Sequence, residues 1–94
     1  MKTFKEYLLD DSSLREQTVH LPYGASVVDV KNTDKGLMLL ALVTPEAYAT
    51  ELPEIRTFKI CVNGEIFAAP TVKYVGSFES IIGTKHVVEI VKEF

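Results

Sequence analysis

Short runs of alternating apolar and polar residues cover most of the chain, and turn residues separate them. Alternation with a period of two is typical of strands that bury one face. Evenly spread turn signals are typical of an all-β domain. The pattern therefore predicts one all-β, mainly antiparallel domain over residues 1–94, a small β-sandwich or barrel. About seven short strands are expected, and we place them at 3–9, 16–21, 25–32, 37–44, 55–62, 71–78 and 85–91.

The turn residues predict where the chain reverses between strands. Asn63-Gly64 is the preferred pair for a type I′ hairpin turn, in which both residues need positive φ. Residues 65–68 would then return antiparallel to the preceding strand. Gly36 closes a hairpin loop and is a candidate for the left-handed conformation. Pro22-Tyr23-Gly24 predicts another turn.

Two segments leave helix and loop open. Residues 45–52 begin with Pro and continue through Glu46 and Ala47, which favours a two-turn helix, while a mobile loop is the alternative. Residues 10–13 predict a polar loop, although a short helix from Ser12 competes with that interpretation.

The odd or even number of a residue, its parity, assigns its side chain to one of the two faces of a strand. The inward set is Val28, Val30, Phe58, Ile60 and Val62, with Val72, Tyr74 and Phe78 sharing one face of their strand. Thr57, Lys59 and Cys61 would face outward. Residues 37–44 are apolar on both parities, which predicts a central strand covered on both sides.

Some apolar residues do not fit one small core. Val27, Val75, Val87 and Val91 fall on the parity opposite to the predicted core. Either short helices or a partner subunit would have to cover them. A homo-oligomer is the simplest expectation, and small-molecule sites often form between subunits.

Composition narrows the function classes. Of the 94 residues, 47% are hydrophobic and 24% charged, as in ordinary globular domains. The net charge of −3 and the absence of a basic cluster argue against a duplex nucleic acid partner. The longest apolar run, 37–43, is too short to cross a membrane as a helix. With one cysteine and no visible leader, we expect a cytoplasmic protein.

No catalytic or metal-binding motif is present in the sequence. His20 and His86 have no ligand spacing, and a buried, inert Cys61 is favoured over a nucleophile activated by Lys59. The acidic residues, Glu89 among them, are expected to be solvated. We therefore predict no cofactor, no metal and no enzymatic activity.

One group of residues suggests a ligand site. If strands 55–62 and 71–78 pair, the cations, hydroxyl groups and ring of Arg56, Thr57, Lys59, Lys73 and Tyr74 converge. Such a set could hold a carboxylate or phosphate. The alternative, which polar alternation in antiparallel sheets favours, is a solvated face.

Several short segments resemble a family of small bacteriophage and bacterial proteins of unknown function. They are Leu21-Pro22-Tyr23-Gly24-Ala25, Leu40-Ala41-Leu42-Val43, Arg56-Thr57-Phe58 and Lys73-Tyr74-Val75-Gly76-Ser77-Phe78. The chain departs from that family at Val62-Asn63-Gly64-Glu65, where the family often carries GTGH, and near Ile90, where it often carries a histidine. The resemblance implies a phage or prophage accessory protein, which would act in the host cytoplasm.

These observations give a leading hypothesis and an alternative. The first is a non-enzymatic, oligomeric binder that sequesters a small anionic ligand, such as a nucleotide immune signal, as an anti-defence protein. The alternative is a structural or protein-interaction role, either as a virion component or as an inhibitor that docks on a host protein.

Overall fold

The computed structural model of the chain describes residues 1–65 and 71–91 and confirms the all-β prediction. Within those residues it has seven strands and one turn of 3₁₀ helix, Glu46–Tyr48. The strands are β1 Thr3–Leu9, β2 Gln17–Leu21, β3 Ser26–Thr33, β4 Gly36–Val43, β5 Glu54–Val62, β6 Val72–Ser80 and β7 Gly83–Ile90. The expected return strand at 65–68 lies outside the described residues, except for Glu65, which is not in a strand.

The strands form two antiparallel sheets that pack face to face as a sandwich. One sheet has the order β1-β4-β3 and the other the order β2-β5-β7-β6. The β3 and β6 edges lie against each other, whereas β1 and β2 touch only at a few positions. At the β3–β6 edge, a Cβ added to Gly76 would lie 2.7 Å from a carboxylate oxygen of Asp29, so a larger residue would have to displace that side chain.

The core fills the space between the two sheets. In β4, which is apolar on both faces, every second residue from Leu37 to Val43 is buried in the core. Phe58 and Ile60 are fully buried on the inner face of β5, as predicted. The largest fully buried side chains are Phe58, Leu21, Leu37, Leu39, Ile60, Val43 and Val87.

A β-bulge in β3 corrects one predicted face. The register against β4 shifts between Val27 and Asp29, which leaves Val28 as the extra residue. Val27 and Val30 are therefore buried and Val28 is 48% exposed. Placing Val28 in the core was wrong because one inserted residue reverses the parity of the residues before it.

A second β-bulge corrects the predicted faces of β6. Its register against β7 shifts between Tyr74 and Gly76. Val75 and Phe78 are buried, while Val72 and Tyr74 are exposed. The prediction that Val72, Tyr74 and Phe78 share a face was therefore wrong for the same reason.

The excess of apolar residues lies elsewhere than predicted. Val27, Val75 and Val87 belong to the core, and Val91 is half-buried. The residues without a covering layer are instead on the outer face of β4, where Met38, Leu40 and Leu42 are half-buried. Among the described strands none packs on that face, so a single chain covers β4 on one side only.

The predicted turns form with some changes. Pro45 starts one 3₁₀ turn instead of a two-turn helix, with Tyr48 N–H donating to the Pro45 carbonyl at 2.8 Å. Ser12 starts no helix, because the Asp10 carboxylate accepts hydrogen bonds from its amide and hydroxyl. Asn63-Gly64 does turn the chain, but only Gly64 has a positive φ, of 80°. Type I′ needs a positive φ at both residues, so that prediction was wrong; a positive φ at the second residue alone is the pattern of a type II turn.

Candidate binding surfaces

Three of the predicted ligand residues line one cleft. Arg56, Thr57 and Lys73 border a cavity of about 500 Å³ beside the start of β5 and the end of β7. Two carboxylates, from Glu54 and Glu89, line the same cavity. The cleft therefore brings two cations together with two anions.

Arg56 is already occupied by partners within the chain. Its Nε and Nη2 donate to the two carboxylate oxygens of Glu89 at 2.6 and 2.8 Å, and its Nη1 donates to the Ala25 carbonyl at 2.5 Å. The hydrogen bond that Arg56 donates to Glu89 raises the pKa of Arg56. Glu89 is only 7% exposed, so the expectation of a solvated carboxylate was wrong. The arginine neutralises this buried carboxylate and connects the two sheets.

The other two residues lie on the outer face of the four-stranded sheet, away from this ion pair. Strands β5 and β6 do not pair, because β7 lies between them. Lys59 and Tyr74 both align with Val88 of β7, one on each side. The Lys59 ammonium donates to the Glu65 carboxylate at 2.5 Å and to the Leu14 carbonyl at 3.1 Å. The five predicted residues are therefore divided between two faces of the sheet.

Tyr74 belongs to a hydrogen-bonded row with His86. The Asn63 side-chain oxygen accepts from Nε2 of His86 at 2.7 Å, so Nδ1 of the neutral ring accepts from the Tyr74 hydroxyl at 2.9 Å. Cys61 aligns with His86 across β5 and β7 and is buried. Burial raises the pKa of the Cys61 thiol more than Lys59 lowers it. The protonated thiol is a poor nucleophile.

Sequence reasoning missed an adjacent pair of highly exposed apolar residues. Ile81 and Ile82 occupy the turn between β6 and β7, with fractional exposures of 105% and 79%. The Ser80 hydroxyl donates to the Gly83 carbonyl at 2.8 Å and fixes the turn. Turn centres normally carry polar residues or glycine. Two adjacent isoleucines directly before Gly83 were the signal that could have identified this surface.

No family model, curated protein or solved structure matches the chain. Within residues 1–65 and 71–91, no group of three or more His, Cys, Asp or Glu side chains is arranged to hold a metal ion. The same residues contain no helix with the length and apolar character needed to span a bilayer.

Proposed function

We propose that the protein is a non-enzymatic, homo-oligomeric binding protein that engages another protein through the tip of its β6–β7 hairpin. The exposure of Ile81 and Ile82 carries this proposal. An accessory protein of a phage, which the resemblance implies, would use such a surface to block or sequester a host protein.

The tip has the energetic properties of an interaction site. Complete burial of an isoleucine contributes about 1.5–3 kcal/mol, so the two side chains together could contribute about 3–6 kcal/mol. The hairpin holds them ready, since Ser80 and Thr84 make side-chain hydrogen bonds across its end. A preformed turn loses little conformational entropy on binding. Because the tip is convex, its partner should present an apolar pocket.

The predicted ligand-binding cations support an anionic ligand less strongly than the exposed isoleucines support a protein partner. Arg56 and Lys59 are both bonded to carboxylates of the chain itself. A phosphate would have to displace those carboxylates before it could bind to either cation. The isoleucines of the tip, in contrast, are available without any rearrangement.

The test is to capture a partner from bacterial host extract on immobilised protein and to measure its binding again with purified components. The double variant Ile81→Ser/Ile82→Ser should lose at least 100-fold in affinity, since about 3 kcal/mol corresponds to more than two factors of ten. Leu14→Ser, at a 59% exposed loop position, is the matched control and should bind normally. A partner that binds the double variant as well as wild type would refute the proposal, as would the absence of any stoichiometric partner.

A small anionic ligand is the second candidate, and the cleft shared by Arg56, Thr57 and Lys73 favours it. Thermal-shift measurements with a panel of nucleotides test it directly. Stabilisation that is lost in Lys73→Ala would support this function. The anionic-ligand function would be refuted if no nucleotide stabilises the protein and if Arg56→Ala and Lys73→Ala respond to the panel as wild type does.

A further inference from the structure

The outer face of the three-stranded sheet is apolar along its centre. Met38, Leu40 and Leu42 of β4 form a half-buried row, and Phe4 and Leu8 of β1 flank it with exposures of 63% and 61%. This outer β4 face, defined by those five residues, lies opposite to the core. An apolar sheet face of this kind is usually covered by another layer.

Charges border the row on both sides. Glu6 on β1 aligns with Leu40, and Lys31 on β3 aligns with Met38. The Lys31 ammonium lies 3.1 Å from a carboxylate oxygen of Glu6, so the pair crosses β4. Both side chains keep substantial exposure, 53% for Lys31 and 41% for Glu6. The face therefore carries Glu6 on one border and Lys31 on the other, around an apolar centre. Asp29 of β3 also aligns with Leu40, but its carboxylate lies beside Gly76 and accepts from the Val30 amide.

We propose that two copies of the chain associate through the outer β4 face about a two-fold axis parallel to β4. This inference rests on the oligomeric part of the proposed function and names its interface. The axis would lay β1 of one copy over β3 of the other, which brings Glu6 near the second copy's Lys31, twice per dimer. An axis perpendicular to the strands would instead stack Glu6 on Glu6, and like charges oppose that arrangement.

The exposed area indicates the strength of the contact. A fully exposed aromatic side chain offers about 150–250 Å², and on that scale the apolar residues of the face expose about 400 Å². Patches of this size on a single chain commonly mark interaction sites. With Glu6 and Lys31, each copy would bury about 600 Å², at the lower limit for specific interfaces. We therefore expect a reversible dimer that dissociates on dilution.

Sedimentation velocity of the full chain over a micromolar-to-millimolar range tests the dimer. Wild type should shift from monomer to dimer as concentration rises, and Leu40→Lys should weaken association at least tenfold. Ile81→Lys places the same charge on the hairpin tip and should dimerise like wild type. A wild-type monomer at every concentration would overturn the inference, and so would a dimer that Leu40→Lys leaves unchanged.

A mixing experiment tests the two-fold axis. Glu6→Lys makes both borders of the face basic and Lys31→Glu makes both acidic, so each variant alone should dimerise more weakly than wild type. Their equimolar mixture should form a heterodimer, because the acidic borders of one then meet the basic borders of the other. Single variants that dimerise as well as wild type refute the parallel axis, because a perpendicular axis already places like charges together in wild type. A mixture that associates no better than its components refutes the contact between the charged borders. The Ile81→Ser/Ile82→Ser variant separates the two proposals, since it should lose the protein partner and keep the dimer.

Discussion

Replacing Glu89 by Gln removes the charge that neutralises Arg56 and leaves the guanidinium in a mostly buried position. The side chains of Arg56 and Glu89 are only 16% and 9% exposed. The glutamine keeps the size of the side chain and one carbonyl acceptor, so the main change is electrostatic. This variant therefore measures how much the fold depends on the ion pair between Arg56 and Glu89, which lines the predicted ligand cleft.

The magnitude follows from the burial of the pair. Breaking a buried ion pair by removing one partner costs about 3–5 kcal/mol, and the remaining exposure of Arg56 lowers our expectation to about 2–4 kcal/mol of unfolding free energy. Removing both charges should cost less, because no unpaired ion remains. We expect Arg56→Met/Glu89→Met to lose about 1 kcal/mol, mainly from the Ala25 carbonyl that loses its donor.

Urea denaturation of wild type, Arg56→Met, Glu89→Met and the double variant closes a cycle and gives the coupling energy directly. Lys73→Met is the matched control, since this exposed cation lines the same cleft, and it should change the unfolding free energy by less than about 0.5 kcal/mol. A Glu89→Gln variant within about 0.5 kcal/mol of wild type, or single effects that simply add in the double variant, would refute the structural role of the pair.

Four further outcomes are expected. Gly76→Ala should lower the unfolding free energy by about 1–3 kcal/mol, because its methyl group would displace the Asp29 carboxylate from the hydrogen bond that it accepts from the Val30 amide, and chemical denaturation checks this. Tyr7→Phe should leave stability unchanged or raise it by about 1 kcal/mol in the same assay, because the buried Tyr7 hydroxyl has no hydrogen-bond partner among residues 1–65 and 71–91. Cys61 should react with a thiol reagent more slowly than a free cysteine at pH 7.5, because burial raises its pKa, and equal rates would contradict this. The hydrogen bond from Lys59 lowers the pKa of Glu65, so this pair stabilises the fold above the unfolded pKa and is lost as the pH falls through the folded pKa. Glu65→Gln should then flatten the acid side of the stability profile by at most about 0.5 kcal/mol, since part of the pair is solvated.

Alternation predicted the strands well because each strand buries one face against the same core. The observed bounds of β1 agree with the predicted 3–9, and those of β5 begin one residue before the predicted 55–62. Which strands are neighbours could not be read from alternation. Nothing in the residues of β6 indicates that β7 separates it from β5, since pairing depends on how the whole chain crosses between the two sheets.

The bulges account for most of the wrong faces. A bulge adds one residue to a strand and reverses parity from that point, yet Val28 and Val75 look like ordinary strand residues. Gly76 was the better signal, because a glycine inside a strand often marks a bulge or a close backbone approach, and here both occur.

Parity also contained information about Arg56 that the ligand hypothesis did not use. Arg56 has the parity of Phe58 and Ile60, so the alternation that placed those two in the core also places the arginine at the inner face. An inward charge requires a partner, and β7 supplies Glu89 at the position aligned with Phe58. A cation on the core parity is thus better evidence for an internal ion pair than for a ligand site. Side chains that the fold does not need at their positions, such as Ile81 and Ile82 in a turn, are better evidence for binding.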